Sequence, residues 1–276
     1  MRIRSAIVPT IQYLSLLIAS FVVLFPIYTI FVGAFKTRTE YYTARFTLPE
    51  SFLNFENFQL VFERGKLGLG FWNIGVIIVI SIVGNIILGT MTAYALGRFN
   101  FKLKKLIMGM YLVAAVIPLV TTQVATFSII KALGLYNTLG APVVLYLGAD
   151  VIQIVIYLQF IHSIPKAIDE SAYLEGASLF TIYWRMIFPL LAPATATVII
   201  LKFIAIYNDF YIPFLYMPSQ DLRVVSTAIY AFVGPNAARM EIISAFILVV
   251  FVPTAVLFLF LQRYVFSGVT SGAVKQ

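Results

Sequence analysis

Long apolar runs separated by short polar stretches set the pattern of this chain. A helix rises about 1.5 Å per residue, so about 20 apolar residues cross the hydrocarbon core of a bilayer. Six segments reach that length: 7–35, 71–97, 106–130, 142–161, 190–210 and 242–261. The pattern predicts an all-α, polytopic membrane protein with six transmembrane helices, built as a single domain over 1–276. The first run is too long for the core of a signal peptide, and no small-residue cleavage pattern follows it. It is expected to remain as the first span. The fifth run is the least clean, because Lys202 lies inside it and Asp209 near its end.

The polar stretches differ in character. The segment 36–70 contains Pro49, aromatic residues and mixed charge, and is long enough for a short ordered element on the outer surface. The stretch 213–241 holds Pro218, Ser219, Gly234, Pro235 and Asn236. Periodicity leaves open whether it folds partly back into the membrane. The stretch 162–189 is the most structured. Pro165 suits the first turn of a helix, and Asp169, Glu170 and Glu175 suit an early helical turn or a solvated face. Ile164, Ile168 and Ala172 recur at spacing four and form a narrow apolar stripe. Gly176 ends or bends this helix and permits close backbone approach. A second short helix is expected over 179–188, stopping before Pro189. The product is a helix–glycine–helix elbow.

Composition agrees with burial in lipid: 61% of residues are hydrophobic, 11% are charged, and the mean hydropathy is +0.97. A soluble domain needs more polar surface than this chain can supply. The net charge of +8 sits beside apolar runs, so it reads as an orientation signal rather than a nucleic-acid footprint. Arg2, Arg4, the compact Arg98–Lys105 cluster, Lys166, Arg185, Arg263 and Lys275 fall on one side, which places both termini in the cytoplasm. Cysteine is absent and His162 is the single histidine, so no thiolate or histidine-rich metal site is expected. No Gly-x-x-x-x-Gly-Lys-Ser/Thr run occurs, so the chain has no P-loop of its own. No internal repeat supports the inverted-repeat plan of many secondary transporters.

Glu170-Ser171-Ala172, Gly176 six residues after Glu170, Ala177, and the Ile187-Phe188-Pro189 end together resemble the EAA loop of binding-protein-dependent ABC importer permeases. Ser171 stands where that family usually has Ala, and Glu175 where Asp is common. The resemblance implies a coupling helix seated in a cleft of an ATP-hydrolysing subunit. Glu170 and Gly176 would be the main docking positions, with Ser171, Glu175 and Pro189 beside them and Ala172 and Ala177 giving a small packing surface. Ala93–Phe99 with Lys102–Lys105, Leu133–Thr138, Tyr207-Asn208-Asp209-Phe210 with Pro213, and the tail Gln262–Lys275 are similar to the carbohydrate, maltose-like branch. In such relatives the tail reaches toward the ATPase. The implied partners are a second homologous permease, two ATPase subunits holding ATP and Mg, an extracytoplasmic solute-binding protein and a sugar. The implied location is a bacterial or archaeal plasma membrane.

Intramembrane polar residues are the candidates for the substrate path. Sugars need amide or carboxylate partners and aromatic faces. Tyr207, Asn208, Asp209, Gln123 and Thr122 have that chemistry. Gln123 near Pro118 equally suits satisfaction of backbone groups freed by the proline. Lys202 and Asp209, seven residues apart, share a helix face. A sugar contact, a structural ion pair and snorkelling to water all remain open there, with a structural or inter-subunit pair favoured for Lys202. Asp150 suits a cavity or the outer interface. Transport of glycerol phosphate or a polyol is the variant of the leading reading. A proton-coupled transporter using Asp209 and Lys202 is the reading from another class.

Overall fold

The computed structural model describes residues 2–233 and 239–273, and the side chains of 11–118, 120–233, 239–256 and 259–260 among them. Gly234, Pro235 and Asn236, together with Lys275 of the tail, lie outside the described residues. The helices are α1 (Arg2–Ala34), α2 (Arg38–Thr43), α3 (Glu56–Arg64), α4 (Leu67–Arg98), α5 (Lys104–Val116), α6 (Leu119–Ala132), α7 (Gly140–Leu147) and α8 (Val151–Ser163). They continue as α9 (Ala167–Leu174), α10 (Leu179–Ile182), α11 (Phe188–Leu190), α12 (Ala192–Asn208), α13 (Tyr211–Tyr216), α14 (Val225–Ala228) and α15 (Met240–Ala273). A π turn, Tyr183–Ile187, joins α10 to α11. The described residues contain no strand. An all-helical, apolar membrane protein is what the hydrophobic pattern requires.

Two helices, Ile11–Ala34 and Leu67–Arg98, are each long and apolar enough to cross a membrane. The third and fourth predicted spans are not straight. The third breaks between Val116 and Leu119, where Pro118 has no N–H to continue the ladder. The fourth bends by 46° between α7 and α8. The fifth, α12, follows a 72° bend from α11. Counting each bent pair as one span gives up to five, and Met240–Val256 adds a shorter apolar stretch within α15.

The chain divides into two compact units. The first comprises Met1–Gly68 and Ala228–Val256. Here the expected ordered element between the first two spans is a pair of short helices, α2 and α3. They are organised by buried polar groups. The Asn57 amide donates to the carbonyls of Ala34 (3.0 Å) and Lys36 (2.8 Å), closing the backbone that α1 leaves open at its end. Lys36 is fully buried, and its ammonium donates to the Ala44 carbonyl and to Thr47 Oγ1. Phe35 contacts the rings of Phe31, Phe52, Phe55 and Phe58 around the same turn.

The second unit comprises Leu69–Thr227 and Leu257–Gln276. Its core is a seam between α4 and the bent α7–α8 pair. Glycines on α4 allow close approach: a Cβ at Gly84 would lie 2.2 Å from Leu147, one at Gly89 2.2 Å from Gln153 Nε2, and one at Gly97 2.7 Å from Ile161. At the α7–α8 bend, the Asn85 amide donates to the carbonyls of Tyr146 (3.3 Å), Leu147 (3.3 Å) and Gly148 (2.8 Å). Gln153 Nε2 returns a bond to the Asn85 carbonyl at 3.1 Å. Asp150 caps α8 by accepting the Gln153 N–H at 2.8 Å. The stretch after α12 folds into α13, the 3₁₀ turn Gln220–Leu222 and α14. Asn73 on α4 holds it by donating to the carbonyls of Asp221 (3.0 Å) and Arg223 (2.9 Å).

Gly89→Ala should cost about 1–3 kcal/mol, because the new methyl displaces Gln153 and breaks its buried bond to Asn85. Gly75 on the same helix has nothing within 4 Å of an added Cβ. Gly75→Ala should therefore leave Tm unchanged or raise it, and thermal unfolding of the two variants in detergent makes the comparison.

Candidate functional site

The elbow forms as the residues 164–189 predict, with one adjustment at each end. Pro165 lies just ahead of the first helical residue, Ala167, with its carbonyl accepting the Ile168 N–H at 3.3 Å. Asp169 and Glu170 occupy the first turn of α9, where the helix dipole favours carboxylates. At the other end the chain turns on Gly176, whose φ of +83° is left-handed and suited to glycine. The Gly176 N–H donates to Tyr173 (3.0 Å) and the Ala177 N–H to Ala172 (3.0 Å), the pair of bonds that defines a Schellman cap. Ser178 then caps α10 by accepting the Thr181 N–H at 3.2 Å. The second arm does not stop before Pro189, as its sequence suggests, but runs to Leu190. The π turn explains this: the Phe188 N–H reaches back to Tyr183, and the widened turn accepts a proline that brings no N–H.

The elbow is fastened to the end of α4. Arg98 forms an ion pair with Asp169 at 3.1 Å, the two side chains being 6% and 18% exposed. The same guanidinium donates to the Ile164 carbonyl at 3.0 Å, at the end of α8. Tyr94 donates its hydroxyl to the other Asp169 oxygen at 3.2 Å. On the second arm, the Tyr183 hydroxyl lies 2.8 Å from Thr90 Oγ1, and its ring packs 5.5 Å from that of Tyr94. Burial pushes the Tyr183 phenol above its ordinary value, so it stays protonated. Trp184 and Phe188 stack at 4.8 Å farther along that arm.

The elbow has two unlike faces. Ala172 is buried and belongs to the core formed with Tyr94, Ile161, Ile182 and Ile187, and Ala177 packs against it. Glu170, Ser171, Glu175, Gly176 and Pro189 are exposed. So are Tyr173, Leu179, Phe180 and above all Leu174, which is 87% exposed. A groove of about 380 Å³ runs between the end of α4 and this face, lined by Arg98, Lys166, Glu170, Tyr173, Leu174 and Leu179 among others.

The candidates for a substrate path are not gathered in one place. Asp209 caps α13 by accepting the N–H groups of Tyr211 (2.8 Å) and Ile212 (3.2 Å), and accepts the Tyr146 hydroxyl at 2.9 Å. Lys202 pairs with Asp150 at 2.7 Å. Both contacts lie toward the bent α7–α8 pair, so the shared face of Lys202 and Asp209 is a tie to the fourth span. Asp150 serves as helix cap and ion-pair partner at once. Gln123 donates to the Tyr216 hydroxyl at 2.8 Å rather than to the backbone at Pro118. Tyr207 is buried and stacks on Phe203, while Asn208 and Thr122 are exposed. Asn208 returns its amide to the Ile204 carbonyl at 2.9 Å.

The model for the binding-protein-dependent transport system inner membrane component family matches residues 85–271, which include the end of α4, the elbow and its flanking helices. The chain belongs to that family. Among its relatives, the melibiose/raffinose/stachyose import permease protein MelC of Bacillus subtilis is 32% identical, the match covering 91% of each chain. The maltodextrin transport system permease protein MalD of Streptococcus pneumoniae is 26% identical over 99% of this chain and 98% of its own. A crystal structure of a bacterial ABC transporter involved in the import of the acidic polysaccharide alginate superimposes with a TM-score of 0.83 at 18% identity, over 94% of this chain and 96% of that one. The last comparison establishes that the fold is shared.

For this family member, counting charges by side assigns Arg98 to membrane orientation and Asp169 to the helix dipole. Their pairing across 71 positions carries no local signal, and neither do Thr90 and Tyr183. Gly176 does. An L-residue forced to that φ costs about 1–2 kcal/mol, and no neighbouring atom obstructs a methyl there. Gly176→Ala should therefore loosen the elbow without unfolding the protein. Hydrogen exchange should show faster exchange of the capping amides at 176 and 177, and an unchanged rate along α12.

Proposed function

We propose that this chain is one of two membrane-spanning halves of an ATP-driven importer for a sugar or oligosaccharide. The cargo class rests on the relatives, whose names concern melibiose, raffinose and stachyose, starch degradation products, arabinooligosaccharides and maltodextrin. The chain would work with a second homologous permease, two ATPase subunits that bind ATP and Mg, and an extracytoplasmic solute-binding protein. It would sit in a bacterial plasma membrane with six spans, formed by α1, α4, the bent pairs α5–α6 and α7–α8, α12 and α15, and with both termini in the cytoplasm.

The observation that carries this reading is the exposed face of the elbow. Tyr173, Leu174, Leu179 and Phe180 are large apolar side chains on a loop outside the predicted spans, grouped beside Glu170 and Glu175. A cluster of this kind, rimmed by charge, is the surface expected of a protein interface. Glu175 adds to the argument. It caps the C-terminal end of α9, where the helix dipole disfavours a carboxylate by about 0.3–1 kcal/mol. A basic partner facing it would offset that cost. Ala172 and Ala177 hold the elbow to its own core, so Glu170, Ser171, Glu175, Gly176 and the apolar cluster form the docking face, with Pro189 at its far edge.

In this mechanism, closure of the ATPase halves moves the docked elbow, and the elbow carries α8 and α12 toward the outward-open arrangement. ATP hydrolysis resets them. Tyr207, Asn208, Asp209, Gln123 and Thr122 are the groups we assign to the sugar path. Asp209 and Gln123 would exchange their present partners, Tyr146 and Tyr216, for sugar hydroxyls as the helices move.

Leu174→Asp places a charge at the centre of the apolar cluster. The variant should insert normally, yet its yield of co-purified ATPase should drop at least about tenfold and sugar uptake should disappear, in line with loss of a central interface residue. Purification from membranes, followed by identification of the co-eluting subunits, makes the measurement. A full complement of ATPase with normal uptake would overturn the docking assignment.

A further inference from the structure

We propose that Arg98 and Asp169 clamp the elbow to α4, so that the second span moves with it as a third lever beside α8 and α12. The inference rests on the coupling role given above to the elbow, but the clamp itself is a matter of geometry. By chain connection the elbow reaches only α8 and α12. Four side-chain contacts tie it to α4 as well, and they form two independent points of attachment.

At the first arm, one carboxylate takes both ends of a two-residue claw. Asp169 meets the Arg98 guanidinium at 3.1 Å and the Tyr94 hydroxyl at 3.2 Å. Tyr94 and Arg98 are four apart on α4, so they lie on one helix face. Arg98 also holds the Ile164 carbonyl, which fixes the start of the elbow relative to α8. At the second arm, Tyr183 meets Thr90, which is a further four residues back on the same face of α4. Thr90 Oγ1 in turn donates to the Ile86 carbonyl at 2.7 Å, which fixes its orientation. Two attachment points on one helix face prevent the elbow from pivoting on α4. The pair at the first arm is nearly closed to solvent, so its attraction is little screened.

The sequence around this face of α4 fits the same role. Ala93 and Gly97 flank Tyr94 and leave room for close packing, with Ile161 of α8 against Gly97. The α4 end is thus built to be gripped from two sides, by α8 along its length and by the elbow at its tip. Arg98 and Asp169 are positioning residues in this scheme. Neither is assigned a contact with sugar or nucleotide.

The chain has no cysteine, so spin labels can be placed without removing native residues. Met91→Cys on α4 and Leu174→Cys on α9 put one label on each side of the clamp at exposed positions. In the full-length chain in lipid nanodiscs, the label-to-label distance should be single and narrow. Adding Asp169→Asn keeps an acceptor for Tyr94 but removes the charge that holds Arg98, and the distribution should broaden or split. Asp169→Glu should restore the narrow distribution, which a merely destabilised fold would not do. Tyr94→Phe deletes one hydroxyl and keeps the test open should Asp169→Asn fail to insert; it should broaden the distribution to a lesser degree.

In the complex as it co-purifies, unlabelled Asp169→Asn should lower sugar taken up per ATP hydrolysed about tenfold, within the usual range of coupling energies. A narrow distribution in both Asp169→Asn and Tyr94→Phe would overturn the clamp, and so would an undiminished uptake-to-hydrolysis ratio in Asp169→Asn. Absence of any ATPase from complexes of the unaltered chain would instead remove the coupling reading. The label distances are read in the chain alone and do not depend on that result.

Discussion

Where lipid surrounds a helix no water is at hand for an open backbone group, so each bend or stop inside an apolar chain must be closed from within the protein. The polar side chains of this structure are arranged largely around that requirement. Asn85 gives one amide to three carbonyls at the α7–α8 bend, and Asp150 caps the helix that follows. Asn73 closes two carbonyls of the stretch before α14, and Asp209 closes two N–H groups at the start of α13. The Asn57 amide closes two carbonyls at the end of α1. The α7–α8 bend and these helix ends are therefore specified features, since each has its own donor or acceptor supplied from a neighbouring element or from the capping residue itself.

The same requirement bears on the intramembrane polar residues. A polar side chain in an apolar run invites a functional role, but several here have structural partners as well. Lys202 holds Asp150, Gln123 holds Tyr216, and Asp209 holds Tyr146 while capping its own helix. A proton-coupled scheme would need Asp209 and Lys202 to be poised for exchange, and both already have protein partners. A sugar path is less demanding, because hydroxyl groups can replace a tyrosine hydroxyl one for one when helices shift.

What could be seen in the sequence follows the range over which each signal acts. Apolar runs report hydrophobic character residue by residue, so the all-helical, apolar class of the chain was legible. The elbow was legible too, because Gly176, Ser178 and the acidic first turn act within a few positions of themselves. Pro118 marks the third span as a place where the helix ladder must fail. The bend of the fourth span was not legible, since Gly148 and Asp150 gain their meaning from Asn85 on another helix. The π turn was hidden as well, because it comes from accommodating Pro189 while Tyr183 remains tied to Thr90. Arg98 and Asp169 were each given a sensible local role, and their pairing depends on how α4 and α9 meet.

The elbow illustrates why the two kinds of information need each other. Its outer face leaves Leu174 and Phe180 exposed, which in water is unfavourable unless a partner covers them. A flexible loop could bury those side chains by folding back on itself. This one cannot, because the Schellman cap at Gly176 fixes the turn, Ala172 anchors the first arm in the core, and Tyr183 anchors the second. The rigidity that keeps the apolar face exposed is the same rigidity that would pass a partner's motion into the helices. An exposed apolar cluster on a rigid mount suits an assembly, and the membrane helices joined to that mount are what such an assembly would move.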